Sequence, residues 1–391
     1  MTGRGKHIII LISCIAAVSA IMYGCRKVYN PRPIKKAPRI LVVEGAINST
    51  SDLTVFRLTR TVPSDSTGVS PVLGAILTVE SDNNINYQLI EGNVGYYYYI
   101  GLNLDTTRKY RLHIKTTDAP DEYLSAFVPV KSTPPIDSIG FTVKNNGVQI
   151  YVNTHDSKNQ TRYYRWDYEE TWQFHSQFVS AYYSDGFQLL PRTVDQQIYN
   201  CFQDSLSSDI VLSSSAKLSS DVIYQAPVVF IPSTSERIET KYSILVNQYA
   251  LTAEAYDFWA NLRKNTEQMG SIFDAQPSNI NGNIYSVSKN SEPVVGFVTA
   301  CAVKSKRIFI SKDQLPLAWQ PVTPYHCQED TFLFHDKNGQ DHTRALIALP
   351  PSELATSQIA KEGLIIGFLG ADAECVDCTL RGFTYPPSFW K

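Results

Sequence analysis

The cysteines are the residues of this chain whose type and spacing most directly suggest chemistry. There are seven of them: Cys14, Cys25, Cys201, Cys301, Cys327, Cys375 and Cys378. The CxxC pair Cys375–Cys378, taken with Cys327, admits three interpretations. A disulfide from Cys327 to one member of the pair would staple the C-terminal tail in an oxidising compartment. A zinc site would add His326 as a ligand, and a redox-active pair would need a thiol with a lowered pKa. The odd cysteine count beyond Cys25 leaves at least one free thiol, for which Cys301 in an apolar strand is the candidate.

Histidines and carboxylates offer a second possible site. Four of them flank a predicted hairpin turn at Asn338-Gly339, namely His335, Asp336, Asp341 and His342. They could meet as metal ligands or an acid–base pair, or they could simply be solvated residues at a hairpin end. Glu169 and Glu170 are neighbours on a predicted strand, so they point to opposite faces, and we interpret them as surface charges. The sequence contains no GxSxG, HExxH, Walker or GxGxxG motif, and we predict a non-enzymatic protein without cofactor or bound metal.

An aromatic run is the candidate for partner binding. It consists of Tyr96, Tyr97, Tyr98 and Tyr99. Because side chains alternate along a strand, two of these rings should face inward and two outward. Outward tyrosines make a flat, amphipathic surface suited to glycans or protein partners. Tyrosines in a β-sandwich also serve for packing alone, and both interpretations remain open.

The N-terminus has the pattern of an export signal. A basic start precedes an apolar run over residues 8–23, which ends at Gly24 and Cys25. Such a run followed by a small residue and a cysteine is typical of a lipoprotein, so we predict that residues 1–24 are a signal peptide and that Cys25 is lipidated. An alternative lipoprotein cleavage motif ends at Cys14, but the apolar run before it is much shorter. An uncleaved anchor is the other alternative, although the run is short for a bilayer core of about 30 Å.

The charge balance is close to neutral, with 35 basic and 37 acidic residues. It gives no general reason to expect nucleic acid as a partner. Residues 25–38 depart from this balance because they hold several basic residues and prolines and no acid. We predict that they form a basic, semi-rigid tether, beside an anionic headgroup layer or as a soluble linker.

Strand patterns predict a mainly β chain. Over residues 39–132, short strands recur at the spacing of an immunoglobulin-like β-sandwich. The clearest strand alternates Tyr110, Leu112 and Ile114 with polar residues. Leu104, six residues before Tyr110, has the spacing of a tyrosine corner, a feature of such sandwiches.

Residues 133–391 are predicted to form a larger β-rich domain, fibronectin- or sandwich-like, with one covering α-helix near 252–269. The stretch 176–235 is rich in serine and aspartate and is expected to be irregular. Segments 331–336 and 341–349 flank a turn and are expected to pair as a hairpin.

The helix is predicted from an apolar face. Leu251, Ala255 and Phe258 recur at helical spacing, and Thr252 is the expected N-cap. This face could dock a partner, or it could cover the sheet of its own domain, and the strands on either side favour the second interpretation.

Several segments together resemble a known family. They are LVVEG (41–45), PPIDSI (134–139), RYYRWDYEETW (162–172), YSILVNQYALTAEAYDFW (242–259), GSIFDAQPSNINGNI (270–284), CVDCTLRG (375–382) and PPSFW (386–390). In their order and spacing they resemble the domain-of-unknown-function family 4249, lipoproteins of Gram-negative bacteria. The resemblance implies an exported lipoprotein, often encoded beside TonB-dependent outer-membrane transporters, and it implies no catalytic residue.

We therefore expect a lipid-anchored outer-membrane protein that acts as an accessory or binding component of a TonB-dependent nutrient uptake system. Its expected partners are the membrane, through the lipid, and, from the resemblance, the transporter. Arg26 and Lys27 are basic at positions where surface-displayed family members are often acidic. The sequence therefore leaves open whether the protein faces the cell surface or the periplasm. The alternative is a surface adhesive or glycan-binding module.

Overall fold

The chain is mainly β, as the alternating patterns predict. The computed structural model describes residues 39–62, 68–118, 121–267, 282–289, 292–323, 325–351 and 353–390. Within these ranges, no helix has the length and apolar character needed to cross a membrane. The predicted signal peptide, Cys25 and the tether lie outside the described residues.

The first sandwich begins with ten strands. They are β1 (Leu41–Asn48), β2 (Leu53–Arg60), β3 (Ser70–Pro71), β4 (Ile76–Ser81), β5 (Asn86–Gln88), β6 (Ile90–Glu91), β7 (Tyr96–Ile100), β8 (Lys109–Lys115), β9 (Glu122–Ser125) and β10 (Val128–Lys131). One layer runs β1–β2–β7–β6, and β4, β8 and β9 are neighbours in the other. The predicted alternation of β8 is confirmed, since Tyr110, Leu112 and Ile114 are buried. The Tyr110 hydroxyl donates to the carbonyl of Asp105, 3.3 Å away.

The second sandwich packs two antiparallel sheets. Its strands are β11 (Ile136–Lys144), β12 (Gly147–Asp156), β13 (Tyr163–His175), β14 (Tyr182–Ser184), β15 (Leu189–Pro191), β16 (Asn200–Leu206), β17 (Val211–Ser214), β18 (Asp221–Pro232) and β19 (Lys241–Ala250). The sheet β11–β12–β18 shares a core with the sheet of β16, β13 and β19, through residues such as Ile150, Trp166 and Ile244. The expectation of an irregular stretch at 176–235 is wrong, because β18 pairs along most of β12.

The predicted helix is α1 (Ala253–Glu267). Leu251, Ala255 and Phe258 are buried as its pattern predicts. The Thr252 hydroxyl accepts from the amide of Ala255 at 3.2 Å, which is the predicted cap. The ring of Phe258 meets that of Phe297 at 5.5 Å, so the apolar face is covered by the chain's own residues.

The chain returns to the first sandwich after α1. It does so through three short strands. Strand β20 (Ile284–Ser286) pairs with β9, and β21 (Val294–Val295) pairs with β1. Strand β22 (Ala300–Cys301) lies between β1 and β10 and pairs with both. The pairs of β22 are parallel, and its residues are fully buried. A near-continuous apolar run suits such a strand, because both its faces are covered. The first sandwich therefore includes residues beyond 39–132, and the second is not a separate stretch from 133 to 391.

The remaining elements form a small third layer and the tail. They are β23 (Lys304–Ser311), which lies beside β19, then β24 (Asp330–Leu333), α2 (Arg344–Ile347), β25 (Glu353–Lys361), β26 (Leu364–Asp372) and α3 (Ala373–Val376). The predicted hairpin of 331–336 with 341–349 is wrong. β24 pairs with β26 instead, and the second segment makes the helical turn α2, which buries Leu346 in the cluster with Phe332 and Phe368.

The C-terminal tail lies on the outer face of the second sandwich. The ring of Trp390 packs against Phe202 at 5.0 Å and Phe309 at 5.7 Å, and the guanidinium of Arg307 lies 3.6 Å from the ring centre of Phe389. The tail thus covers one part of the sheet face, and the first sandwich faces another part.

Candidate functional site

A cleft of about 900 Å³ lies between the two sandwiches. One wall is the outer face of β1, β2 and β7, and the other is the outer face of β13, β19 and β23 with the Trp259 side chain of α1. Its volume falls in the upper part of the range for ligand sites.

The first wall carries an exposed apolar strip beside the charged residues Glu44, Asp52 and Arg57. In the register of β2 with β7, Val55 lies opposite Tyr98 and Leu53 opposite Ile100. Residues opposite each other share a face, and the alternate position Phe56 points into the core. Leu53 and Val55 keep 49% and 36% of their surface exposed, so this wall offers uncovered apolar area to the cleft.

The second wall is polar and is held in place by stacking. The guanidinium of Arg165 lies between two rings, 4.6 Å from the centre of Tyr249 and 4.4 Å from that of Trp259. It also pairs with Asp167 at 2.7 Å, and Asn247 donates to the same carboxylate at 2.9 Å. These contacts fix Arg165 and Asp167, which share one face of β13, against the rings of Tyr249 and Trp259.

Carboxylates dominate the charge of the second wall. Glu169 is exposed to the cleft, but the surrounding walls partly desolvate its carboxyl, which raises its pKa, and the positive charge of Arg307 offsets this only in part. Asp209 accepts a hydrogen bond from the Tyr168 hydroxyl at 3.0 Å. Burial first, and then the charge of Asp167, raise the pKa of Tyr249 well above its ordinary value, so this phenol remains protonated.

The raised pKa of Glu169 gives a stability prediction. A carboxyl whose folded pKa exceeds its unfolded pKa favours the folded state at low pH, and this contribution is lost as pH rises through the folded pKa. We expect Glu169→Gln to raise the melting temperature at pH 7 and to leave it unchanged below the ordinary glutamate pKa of 4.5. Thermal unfolding at both pH values measures this.

A matched control is Glu362→Gln in the exposed turn between β25 and β26. It should show no pH-dependent difference. Equal behaviour of the two variants would mean that the cleft does not desolvate Glu169.

The four tyrosines of the aromatic run divide between the two faces of β7. Tyr97 is fully buried, and its hydroxyl donates to the Val72 carbonyl at 2.9 Å. Tyr99 packs against the same core, whereas Tyr96 lines the cleft. Tyr98 shares the outer face with Val55. Only Tyr96 and Tyr98 are therefore placed to meet a partner.

The adjacent carboxylates Glu169 and Glu170 do point to opposite faces, but only the first is a surface charge. Glu170 is buried and pairs with Arg237 at 3.0 Å, and it accepts from the Tyr242 hydroxyl at 2.7 Å. Sequence reasoning missed this ion pair because Arg237 is distant along the chain. It also missed the cleft, although the alternation of Arg165, Asp167 and Glu169 was visible.

Four of the five cysteines in the described ranges form two disulfides. Cys327 is joined to Cys375, one of the two pairings that the sequence left open, and Cys378 is joined to Cys201. The alternatives of a zinc site and a redox pair at Cys375–Cys378 are overturned, since each of these sulfurs has a different partner. Cys301 is free and buried, and burial raises the pKa of its thiol to about 11.

The histidines and aspartates near residue 338 make local hydrogen bonds that stabilise the turn. The carboxylate of Asp336 accepts from the amides of Asn338 and Gln340 at 2.7 and 2.9 Å. It lies 3.3 Å from Nε2 of His342, and Asp341 accepts from the hydroxyl of Thr343. Across the described ranges, no three histidine, cysteine, aspartate or glutamate side chains converge as metal ligands would.

These features define a two-sandwich β protein with a ligand-sized cleft between its halves. Residues 26–307 match the model of the family described as Domain of unknown function (DUF4249). The chain belongs to this family, which confirms the resemblance seen in the sequence. No curated protein matches it.

Among solved structures, the chain is similar to a two fibronectin type-III domain segment from chicken tenascin. The identity is 12%, the match covers 55% of this chain and 93% of the tenascin chain, and the TM-score is 0.16.

Proposed function

We propose that this protein is an exported, lipid-anchored binding protein that uses the cleft between its sandwiches to hold a ligand for a TonB-dependent uptake system. The observation that carries the proposal is the cleft itself, in which the exposed Leu53 and Val55 of one wall face a fixed polar wall. Sites of this kind, concave and mixed in polarity, are the ordinary places for ligand binding.

Two disulfides support an extracytoplasmic location. Such bonds persist in the periplasm and at cell surfaces and are rare in the cytosol. The apolar N-terminal run that ends at Cys25 supports a lipid anchor in the outer membrane.

Binding without catalysis suits the polar groups of the cleft. Asp167 is held by Arg165 and Asn247, and Asp209 by Tyr168. Groups fixed in this way orient a ligand, and the geometry gives no pair of a nucleophile and a base among them.

The lipid anchor can be tested at the two candidate cysteines. We expect Cys25→Ser to prevent maturation and to remove the protein from the outer-membrane fraction, whereas Cys14→Ser should mature normally. Mass spectrometry of the N-terminal peptide and membrane fractionation measure both effects. Loss of anchoring with Cys14→Ser alone would contradict the predicted cleavage site.

The uptake role can be tested by isolating the tagged, lipidated protein in mild detergent. We expect a TonB-dependent transporter in stoichiometric amount, identified by mass spectrometry. An isolate without a transporter, from cells in which surface protease reaches the protein, would favour the adhesive or glycan-binding alternative. The half-exposed rings of Tyr96 and Tyr98 are the observation that supports that alternative.

A further inference from the structure

The two walls of the cleft differ in uncovered apolar area, which is concentrated at Leu53 and Val55 of the first wall beside the Glu44–Arg57 ion pair. The apolar strip continues past the cleft mouth, because Tyr98 lies opposite Ile90 in the register of β6 with β7. Ile90 and Ile100 are 62% and 68% exposed. An uncovered apolar surface that runs from inside a cleft to the outside fits a ligand longer than the cleft.

The cleft has an excess of negative charge, and the opposite wall holds three of its carboxylates, those of Asp167, Glu169 and Asp209. The cleft is lined by five carboxylates and two arginines. Both arginines are already paired, Arg57 with Glu44 at 3.4 Å and Arg165 with Asp167 at 2.7 Å. Three carboxylates, those of Asp52, Glu169 and Asp209, have no cationic partner within 4 Å in the described part of the chain.

Exposed carboxylates are common on protein surfaces and do not by themselves indicate a binding site. Here three of them lie on one wall of a concave site and face the exposed Leu53 and Val55 of the other sandwich. A ligand that presents cations on one side and apolar groups on the other would match both features. An extended peptide does this when the two kinds of residue alternate, because successive side chains point in opposite directions.

We propose that the cleft binds an extended cationic peptide segment, with its apolar side chains against β2 and β7 and its lysine or arginine side chains towards β13. This ligand class rests on the proposed binding function and names the ligand of that same site. Asn247 and Ser305 of the polar wall are already used within it, since the Ser305 hydroxyl donates to the Asn247 side-chain oxygen at 2.7 Å and Asn247 donates to Asp167 at 2.9 Å.

A neutral glycan fits the site less well. Glycans are held on open aromatic faces. One face of Trp259 is occupied by the guanidinium of Arg165, and Phe258 meets the Trp259 ring edge-on at 5.4 Å. Tyr249 also lies against Arg165, at 4.6 Å. The rings of Trp259 and Tyr249 are therefore occupied on one face by their contacts with Arg165, and that face is not open to a glycan.

The test measures fluorescence anisotropy of labelled probe peptides with the full-length, detergent-solubilised protein. The probe is a nonapeptide of alternating lysine and leucine, and the comparison peptides carry glutamate for lysine or serine for leucine. We expect binding of the first peptide only. Its affinity should fall as the Debye length is reduced from about 30 Å to about 8 Å by salt.

Variants assign the binding to the two walls. We expect Glu169→Gln to weaken binding about fivefold, which is the scale of one accessible charge contact. Val55→Ser should weaken it to a similar degree through the apolar strip. Glu362→Gln, at the distant turn, should leave it unchanged, and circular dichroism checks that each variant is folded.

Two outcomes would overturn the peptide assignment. One is equal binding of the lysine and glutamate peptides, and the other is binding of neutral oligosaccharides but not of the lysine peptide. If the protein still isolates with a transporter in either case, the uptake role stands and only the ligand class fails. If the lysine peptide binds as expected but no transporter is recovered, the ligand class stands and the uptake role fails.

Discussion

Replacing Cys201 and Cys378 together by serine should lower the free energy of unfolding by about 5 kcal/mol. This disulfide joins β16 to the C-terminal tail across 177 residues of sequence. Its loss restores a large conformational entropy to the unfolded chain, and the cost grows with the logarithm of the loop length. Chemical denaturation of the oxidised protein and of the variant measures the difference.

The second disulfide provides the matched control. Cys327 and Cys375 are separated by 48 residues, so replacing both by serine should cost about 4 kcal/mol. A reducing agent should lower the stability of the unmodified protein and leave a variant without either bond unaffected. A Cys201→Ser/Cys378→Ser protein as stable as the parent would show that this bond is not formed in solution.

Trp166→Ala should lower the free energy of unfolding by about 3–5 kcal/mol. The Trp166 ring is 1% exposed and stacks on Tyr164 at 5.7 Å between the sheets of the second sandwich. Its indole also donates to the side-chain oxygen of Gln248 at 2.9 Å. Truncation therefore creates a cavity and leaves a buried acceptor unsatisfied, and both effects act in the same direction.

The control for this prediction is Tyr224→Ala, an aromatic residue of β18 that is 76% exposed. It should change stability by less than about 0.5 kcal/mol, as surface substitutions usually do. Trp166→Phe should lie between the two, since it keeps most of the ring volume and loses the hydrogen bond. A Trp166→Ala protein as stable as Tyr224→Ala would contradict the core position of the indole.

Local patterns were sufficient for elements whose partners are close in sequence. Strand β8 follows from the alternation of Tyr110, Leu112 and Ile114, and α1 from its apolar face and Thr252 cap. In both cases the period of burial is a property of the backbone and appears directly in the residue order.

Patterns failed where long-range contacts decide the structure. The segment around Leu346 is expected to pair with residues 331–336, but those residues pair with β26 instead, and the residues around Leu346 form a helical turn that buries this leucine. The expectation for the stretch 176–235 failed for another reason, because its serines lie mostly before residue 221 and β18 (Asp221–Pro232) itself holds apolar and β-branched residues that favour a strand. Its place in the sheet is then set by pairing with β12 along most of its length.

The sequence by itself determined the mainly β class, the principal helix and the family, and it left a disulfide of the tail as one of three interpretations. Only the tertiary structure decided that Cys378 pairs with Cys201, that Glu170 is buried with Arg237, and that β22 returns to the first sandwich. It also created the cleft, because Val55 and Arg165 belong to different sandwiches and face each other only after these have packed. Periodicity reports which face of a strand is covered, whereas the identity of the covering residue depends on contacts far apart in the chain.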